Sequence, residues 1–175
     1  MNRLALAALL ALAAAAGAAG SAQARTTVLT PAEQQWATPL IKIWNLQNAG
    51  LQLVVGAASA KNALLVGSKP NNEKLAVILG TLLSCTKPKD AVKAAGSPPT
   101  ARMAGFGTAL HDACAADRAG ADAFTKAMVA YTDGDAKLTE QLLSKGVTSF
   151  KRGTADLTKA YNAIIALGGK NLFKA

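Results

Sequence analysis

Three residues of this chain have side chains that suit a transition metal: its only histidine, His111, and its only cysteines, Cys85 and Cys114. On a helix, His111 and Cys114 share one face because they stand at positions i and i+3. In reduced form the three side chains offer one imidazole and two thiolates, a ligand set that zinc or copper takes. The alternative is a disulfide between the cysteines beside an ordinary histidine. We predict the Cys85–Cys114 disulfide, no metal site and no cofactor.

The N-terminal residues bear on this choice because disulfides persist in oxidising compartments. One basic residue, Arg3, precedes an apolar run from Leu4 to Ala16, and small residues end in Ala22-Gln23-Ala24. This order is typical of a signal peptide, and the run is shorter than the roughly 20 residues that a membrane-spanning helix needs. We predict a signal peptide at residues 1–24 and a single exported domain at 25–175, without a transmembrane segment in the mature chain. The predicted location is secreted or extracytoplasmic, at the cell envelope.

Acid–base and nucleophilic catalysis have few candidate residues here. His111 is the sole imidazole, and its neighbour Asp112 points about 100° away on a helix, so we do not expect the two to pair. No G-x-S-x-G sequence is present for a nucleophilic serine. No carboxylate is flanked by residues that would raise its pKa. We therefore predict no catalytic residue and no enzymatic activity.

Two weaker patterns have structural explanations. Asp133-Gly134-Asp135 with Glu140 has part of the spacing of a calcium loop but lacks most of its oxygen ligands, so we interpret the aspartates as a helix cap. His111 with Met103 or Met128 would suit a haem held between helices, although no C-x-x-C-H sequence is present for covalent attachment. We expect both methionines to fill gaps in the core.

The first predicted helix begins at a capping box. Thr30 supplies a hydroxyl group, Pro31 is the first helical residue, and Glu33 reaches back to the free backbone donors. Apolar residues then recur at helical spacing, at Trp36, Leu40, Ile43, Leu51, Val54 and Ala58. The helix should continue toward Val66 and should be kinked or divided at Pro39.

The segment that contains Cys85 is predicted to be an interrupted helix. Residues 72–84 are apolar nearly all round, which is typical of a helix in the middle of a core. An interruption near Pro88 separates them from a short helical piece over residues 88–95.

The third helix should open at Pro98 or Pro99. Its buried stripe comprises Met103, Phe106, Leu110, Cys114, Asp117, Ala121, Phe124, Met128 and Tyr131. Asp117 and Gly120 fall within this stripe although neither is a good residue for a helical core. We therefore expect a bend or break near Gly120.

The fourth helix follows the turn at residues 132–135. Its stripe alternates steps of four and three, at Leu143, Val147, Phe150, Thr154, Leu157, Tyr161, Ile164 and Gly168. Such spacing favours nearly parallel packing against neighbouring helices. Gly168 and Gly169 should end the helix and leave Lys170–Ala175 as a loose basic tail.

These segments predict an all-α fold, an up-down four-helix bundle with one rod interrupted near Pro88. If the second and third rods are antiparallel, Cys85 and Cys114 lie at similar heights, so one disulfide can staple them. That disulfide would close a loop of about 30 residues and stabilise the fold by roughly 3.6 kcal/mol.

Charge is the surface property that bears most on function. The formal net charge is +9, and it becomes +8 once Arg3 leaves with the signal peptide. An acidic block over residues 112–135 lies between basic blocks over 61–102 and 137–174. We predict a non-enzymatic interaction or binding module at the envelope of a bacterial cell, whose partner is an anionic envelope polymer or lipid headgroups. Nucleic acid is not expected, because basic and aromatic residues are not interleaved.

The alternative function is a carrier for a small apolar ligand, either a lipid or a haem-like molecule, held between the helices. The apolar segment at 72–84 suggests it, and so do four glycines that could leave space in a bundle. They are Gly105, Gly107, Gly146 and Gly153.

Overall fold

The computed structural model describes residues 28–59 and 95–174. Three α-helices occupy most of these residues: α1 (Pro31–Ser59), α2 (Ala104–Thr132) and α3 (Ala136–Ala166). Short 3-10 helices at Ala101–Met103 and Gly169–Lys174 precede α2 and follow α3. The two described ranges contain no strand, so the predicted all-α class is confirmed there. The predicted signal peptide and the predicted helical pieces before residue 95 lie outside them.

α1 begins at the predicted capping box and continues through Pro39. The backbone N–H of Thr30 donates to Glu33 Oε2 at 2.9 Å, and the backbone N–H of Glu33 donates to Thr30 Oγ1 at 3.3 Å. The predicted division at Pro39 is wrong. A proline removes a single backbone donor from a helix, and Pro39 lies on the exposed face of α1 while Leu40 and Ile41 are buried.

α2 and α3 form a helical hairpin with by far the most extensive contact between elements of the described chain. Gly134 has a φ of 79°, a value that favours glycine, and it reverses the chain between them. Asp135 Oδ1 accepts a hydrogen bond from the backbone N–H of Leu138 at 2.9 Å and so caps α3. The predicted cap at this turn is confirmed.

Two predictions about α2 are wrong. The α-helix begins at Ala104, after the 3-10 turn, and not at Pro98 or Pro99. It is also continuous through Gly120. A side chain of α3 occupies the space beside this glycine, as described below, so the missing methyl group serves packing and causes no break.

The C-terminal residues are not a loose tail. Gly168, with a φ of 85°, ends α3 as predicted, but residues 169–174 then form a 3-10 helix. Phe173 packs against Trp44 of α1 and Tyr161 of α3, with ring centroids 5.0 and 5.1 Å apart. Trp44 Nε1 also donates to the backbone carbonyl of Leu157 at 2.9 Å. These contacts hold the C-terminus against α1 and α3.

Candidate functional site

α3 carries a line of basic side chains on the face opposite its buried residues. Lys137, Lys145, Arg152 and Lys159 follow one another at steps of eight, seven and seven residues, and all four are exposed. At 100° per residue they lie within roughly 80° of one another, and the line is about 33 Å long. Lys151 extends it to one side. We call these five residues the α3 basic face.

Asp117 of α2 is buried against the opposite side of α3, at Gly153. The residue is 0% exposed, and neither carboxylate oxygen has a hydrogen-bond partner in the described structure. Burial away from water raises the pKa of Asp117 to about 8, and the negative charge of Asp156 contributes to the rise. At neutral pH the Asp117 carboxyl group is therefore mostly protonated.

Asp156 of α3 is the other buried carboxylate of the hairpin, and unlike Asp117 it forms ion pairs. Its side chain is 7% exposed, with Lys159 Nζ at 2.7 Å from Oδ1 and Arg152 Nε at 3.7 Å from Oδ2. Both cations belong to the α3 basic face. Asp156 is thus a buried group whose ion-pair partners, Arg152 and Lys159, lie on the exposed surface of the hairpin.

Three glycines bring α2 and α3 together. A Cβ at Gly120 would lie 2.6 Å from Cε1 of Phe150, and a Cβ at Gly146 would overlap the ring of Phe124. A Cβ at Gly153 would overlap Oδ1 of Asp117. In each case a side chain of one helix fills the space that a glycine leaves on the other.

This packing corrects the prediction that the glycines leave space for a ligand. Gly146 and Gly153 face side chains of α2, and a Cβ at Gly107 would meet the Trp36 ring at 3.0 Å. At Gly105, apart from its chain neighbours and the backbone of its own helix, no atom of the described residues lies within 4 Å of the Cβ position. The carrier hypothesis is not tested by these contacts and stays a prediction.

Glu33 forms a second buried polar cluster, at the start of α1. It is 0% exposed and accepts hydrogen bonds from Arg102 Nε at 2.7 Å and from Thr100 Oγ1 at 2.5 Å, besides those from Thr30. Hydrogen bonds from Arg102, Thr100 and Thr30 hold the pKa of Glu33 well below its usual range. The cluster fastens α1 to the segment that leads into α2, and this is a structural role.

His111 lies on the exposed side of α2, beside an open groove of about 260 Å³ whose lining includes Trp36, Gly107 and Thr108. Its Nδ1 is 3.4 Å from Asp112 Oδ1, so the prediction that these neighbours do not approach is wrong. Both side chains are about half exposed, which weakens the interaction.

The predicted metal and disulfide residues are only partly described. Cys114 is 4% exposed on the core side of α2 and is not a free thiol, but Cys85 lies outside the described residues, so their pairing stays a prediction. Met103 is fully buried and Met128 packs against the core, as expected of core residues. Within the described ranges, no group of three or more His, Cys, Asp or Glu side chains is arranged to hold a metal ion.

Sequence reasoning missed the Asp117–Asp156 pair. The predicted buried stripe of α2 includes Asp117, and this position in the stripe is the available signal of a buried carboxylate. Asp156 gives no such signal because it falls beside the α3 stripe. Its nearest basic residues in the sequence are Arg152, four positions before it, and Lys159, three positions after it.

The chain matches no protein-family model, and no curated protein or solved structure is significantly similar to it. None of the helices in the described ranges is long and apolar enough to cross a membrane.

Proposed function

We propose that this protein is a non-enzymatic binding module of the cell envelope, and that the α3 basic face contacts an anionic partner. The observation that carries the proposal is the exposed line of Lys137, Lys145, Arg152 and Lys159. Basic side chains about 10 Å apart along a rod suit a partner with repeated negative charges, such as an anionic polymer or a layer of anionic headgroups.

The distribution of charge on the other helices supports this choice of face. The exposed charged residues of α2 are mixed in sign: Asp122 stands four residues from both Arg118 and Lys126. The charged residues of α1 are Glu33, which is buried, and Lys42. Among the described helices, α3 therefore offers the most concentrated positive charge.

Charge reversal on α3 tests the proposal. The double variant Lys137→Glu/Lys145→Glu should lose most of its binding to vesicles that contain phosphatidylglycerol or to linear polyphosphate. The control Lys42→Glu/Lys126→Glu changes the net charge equally on α1 and α2 and should bind nearly as the wild type does. Equal losses in both variants would show that only net charge matters and would contradict a specific basic face.

The two probes distinguish the two sources of negative charge. Binding to vesicles alone would identify lipid headgroups, and binding to polyphosphate alone would identify a soluble anionic polymer. In either case affinity should fall steeply with salt, because exposed charges are screened. Binding that does not change at high salt would contradict the proposal.

We further propose that the mature domain is exported after removal of residues 1–24. In this arrangement residues 72–95 supply the second rod of an up-down four-helix bundle, and the Cys85–Cys114 disulfide staples that rod to α2. The burial of Cys114 on the core side of α2 supports this arrangement. Mass spectrometry of the exported protein tests both points. It should give an N-terminus at Arg25 and a mass two hydrogen atoms below that of the dithiol form, whereas two free thiols would contradict the staple.

A further inference from the structure

Two members of the α3 basic face, Arg152 and Lys159, are ion-paired with a buried carboxylate. Asp156 is that partner, with Lys159 Nζ at 2.7 Å and Arg152 Nε at 3.7 Å. One negative charge thus offsets part of the two positive charges. Together these three groups keep a net charge of about +1.

Asp117 can change this balance because it lies beside Asp156 without a counter-ion of its own. Its carboxylate packs against the backbone of α3 at Gly153, one turn before Asp156. If Asp117 loses its proton, a second negative charge lies beside Asp156, which is the partner of both cations. The local net charge then falls from about +1 to about zero.

Few other charged side chains of the described elements lie near this balance, and of those on α2 and α3 Arg118 and Lys151 are both exposed. On α2, the residues one turn before and after Asp117 are uncharged: Ala113, Cys114, Gly120 and Ala121. On α1 the charged residues are Glu33, which is bound by Arg102, and Lys42. Among the described residues, the negative charge of Asp156 adds to the rise in the pKa of Asp117 that burial causes.

We propose that protonation of Asp117 regulates the α3 basic face, so that an anionic partner binds more tightly when this carboxyl group is neutral. This inference rests on the proposed function, because it regulates the same face. The coupling is reciprocal: an anion bound at Arg152 and Lys159 favours the protonated form of Asp117, so binding takes up protons. The protein would then release its partner as the surroundings become alkaline.

The test compares the wild type with Asp117→Asn, a neutral side chain of the same shape, in binding to phosphatidylglycerol vesicles from pH 6 to pH 9. Removal of one charge near an anionic surface changes affinity roughly fivefold. We expect the wild type to lose about this factor as pH rises. Asp117→Asn should keep its pH 6 affinity throughout. Other groups that are the same in both proteins cancel in the comparison.

Proton uptake gives a second readout that needs no variant. In buffers of different ionisation enthalpy, the wild type should take up protons on binding near pH 8 and hardly any at pH 6. If both proteins show the same pH dependence and no uptake is seen, the regulation is wrong and the basic face is unaffected. If neither protein binds at pH 6, the proposed function itself fails, and the regulation fails with it.

Discussion

Asp117 of α2 lies so close to Gly153 of α3 that a methyl group at residue 153 would overlap its carboxylate oxygen. Phe124 stands in the same relation to Gly146, and Phe150 to Gly120. Two of these three contacts bury an aromatic ring, and the third buries an ionisable group without a partner. The hairpin is thus held together by close packing along its length and is sensitive to pH at one position.

Asp117→Asn should remove an alkaline loss of stability. Because burial raises the pKa of Asp117 from its ordinary 3.8 to about 8, the folded state binds a proton that the unfolded state has lost between these values. Stability should therefore fall as pH rises from about 4 to about 8 and level off above, by a total on the order of 5 kcal/mol. Urea denaturation at pH 5, 7 and 9 measures this.

The variant should be clearly more stable than the wild type at pH 9 and similar or slightly less stable at pH 5, because a buried amide also lacks partners. If the two proteins have parallel stability curves from pH 5 to pH 9, Asp117 is not the group responsible.

Alanine at the packed glycines should be destabilising. Gly120→Ala and Gly146→Ala each force a methyl group against an aromatic ring and should cost about 1–3 kcal/mol. Gly105→Ala is the control: its Cβ position is open, so the variant should gain up to about 1 kcal/mol from reduced unfolded-state entropy. Thermal unfolding of the three variants measures the contrast. A gain in all three would mean that the helices are not in close contact.

Glu33→Gln should lower stability at neutral pH and remove an acid transition. The pKa of Glu33 is held well below its usual range, so its stabilising effect is present above the ordinary value and is lost as pH falls through the folded value. This sign is opposite to that of Asp117. Thermal unfolding from pH 2 to pH 7 should show a steeper acid loss in the wild type than in the variant.

Thr30→Ala provides a matched comparison in the same cluster, because it removes the cap but leaves the Arg102 ion pair. It should cost roughly 1 kcal/mol. That cost should change little above pH 4.5. A Glu33→Gln variant as stable as the wild type at pH 7 would show that the cluster does not hold α1 to the segment before α2.

Phe173→Ala should loosen the C-terminus. The ring packs on Trp44 and Tyr161, and aromatic pairs add about 0.5–1.5 kcal/mol each beyond burial, so a loss of about 1–3 kcal/mol is expected. In a Trp36→Phe background, the emission of Trp44 should shift to longer wavelength as water reaches its ring. Lys170→Ala, at an exposed residue of the same segment, should leave the emission unchanged. An unchanged spectrum in Phe173→Ala would mean that the segment is detached in solution.

Helical periodicity was sufficient to predict much of the described fold. The spacing of apolar residues indicated the buried faces of α2 and α3, because each face repeats every three or four residues. The cap at Asp135 and the helix end at Gly168 were also found, since both depend on local backbone chemistry. Tyr131, the last residue of the predicted α2 stripe, is exposed near the C-terminal end of α2.

The remaining features depend on contacts between distant residues. Arg102 binds Glu33 across 69 positions, and Phe173 meets Trp44 from the far end of the chain. The break predicted at Gly120 is wrong for the same reason. A glycine lowers helix propensity, but here the Phe150 ring of α3 fills the space beside it, and the sequence does not show which residue packs there. Asp117 looked like a defect in the buried stripe for the same reason, because its surroundings on α3 are set by the pairing of the helices.

The coupling between Asp117 and the α3 basic face is tested most directly by a carbon-detected NMR titration of the Asp117 carboxyl group between pH 3 and pH 10. Comparison with Asp117→Asn assigns the signal. We expect the Asp117 carboxyl group to titrate with a midpoint near pH 8. We also expect the Arg152 and Lys159 side-chain signals to move over the same pH range. A midpoint near 4, with no change at those cations in the alkaline range, would contradict this coupling.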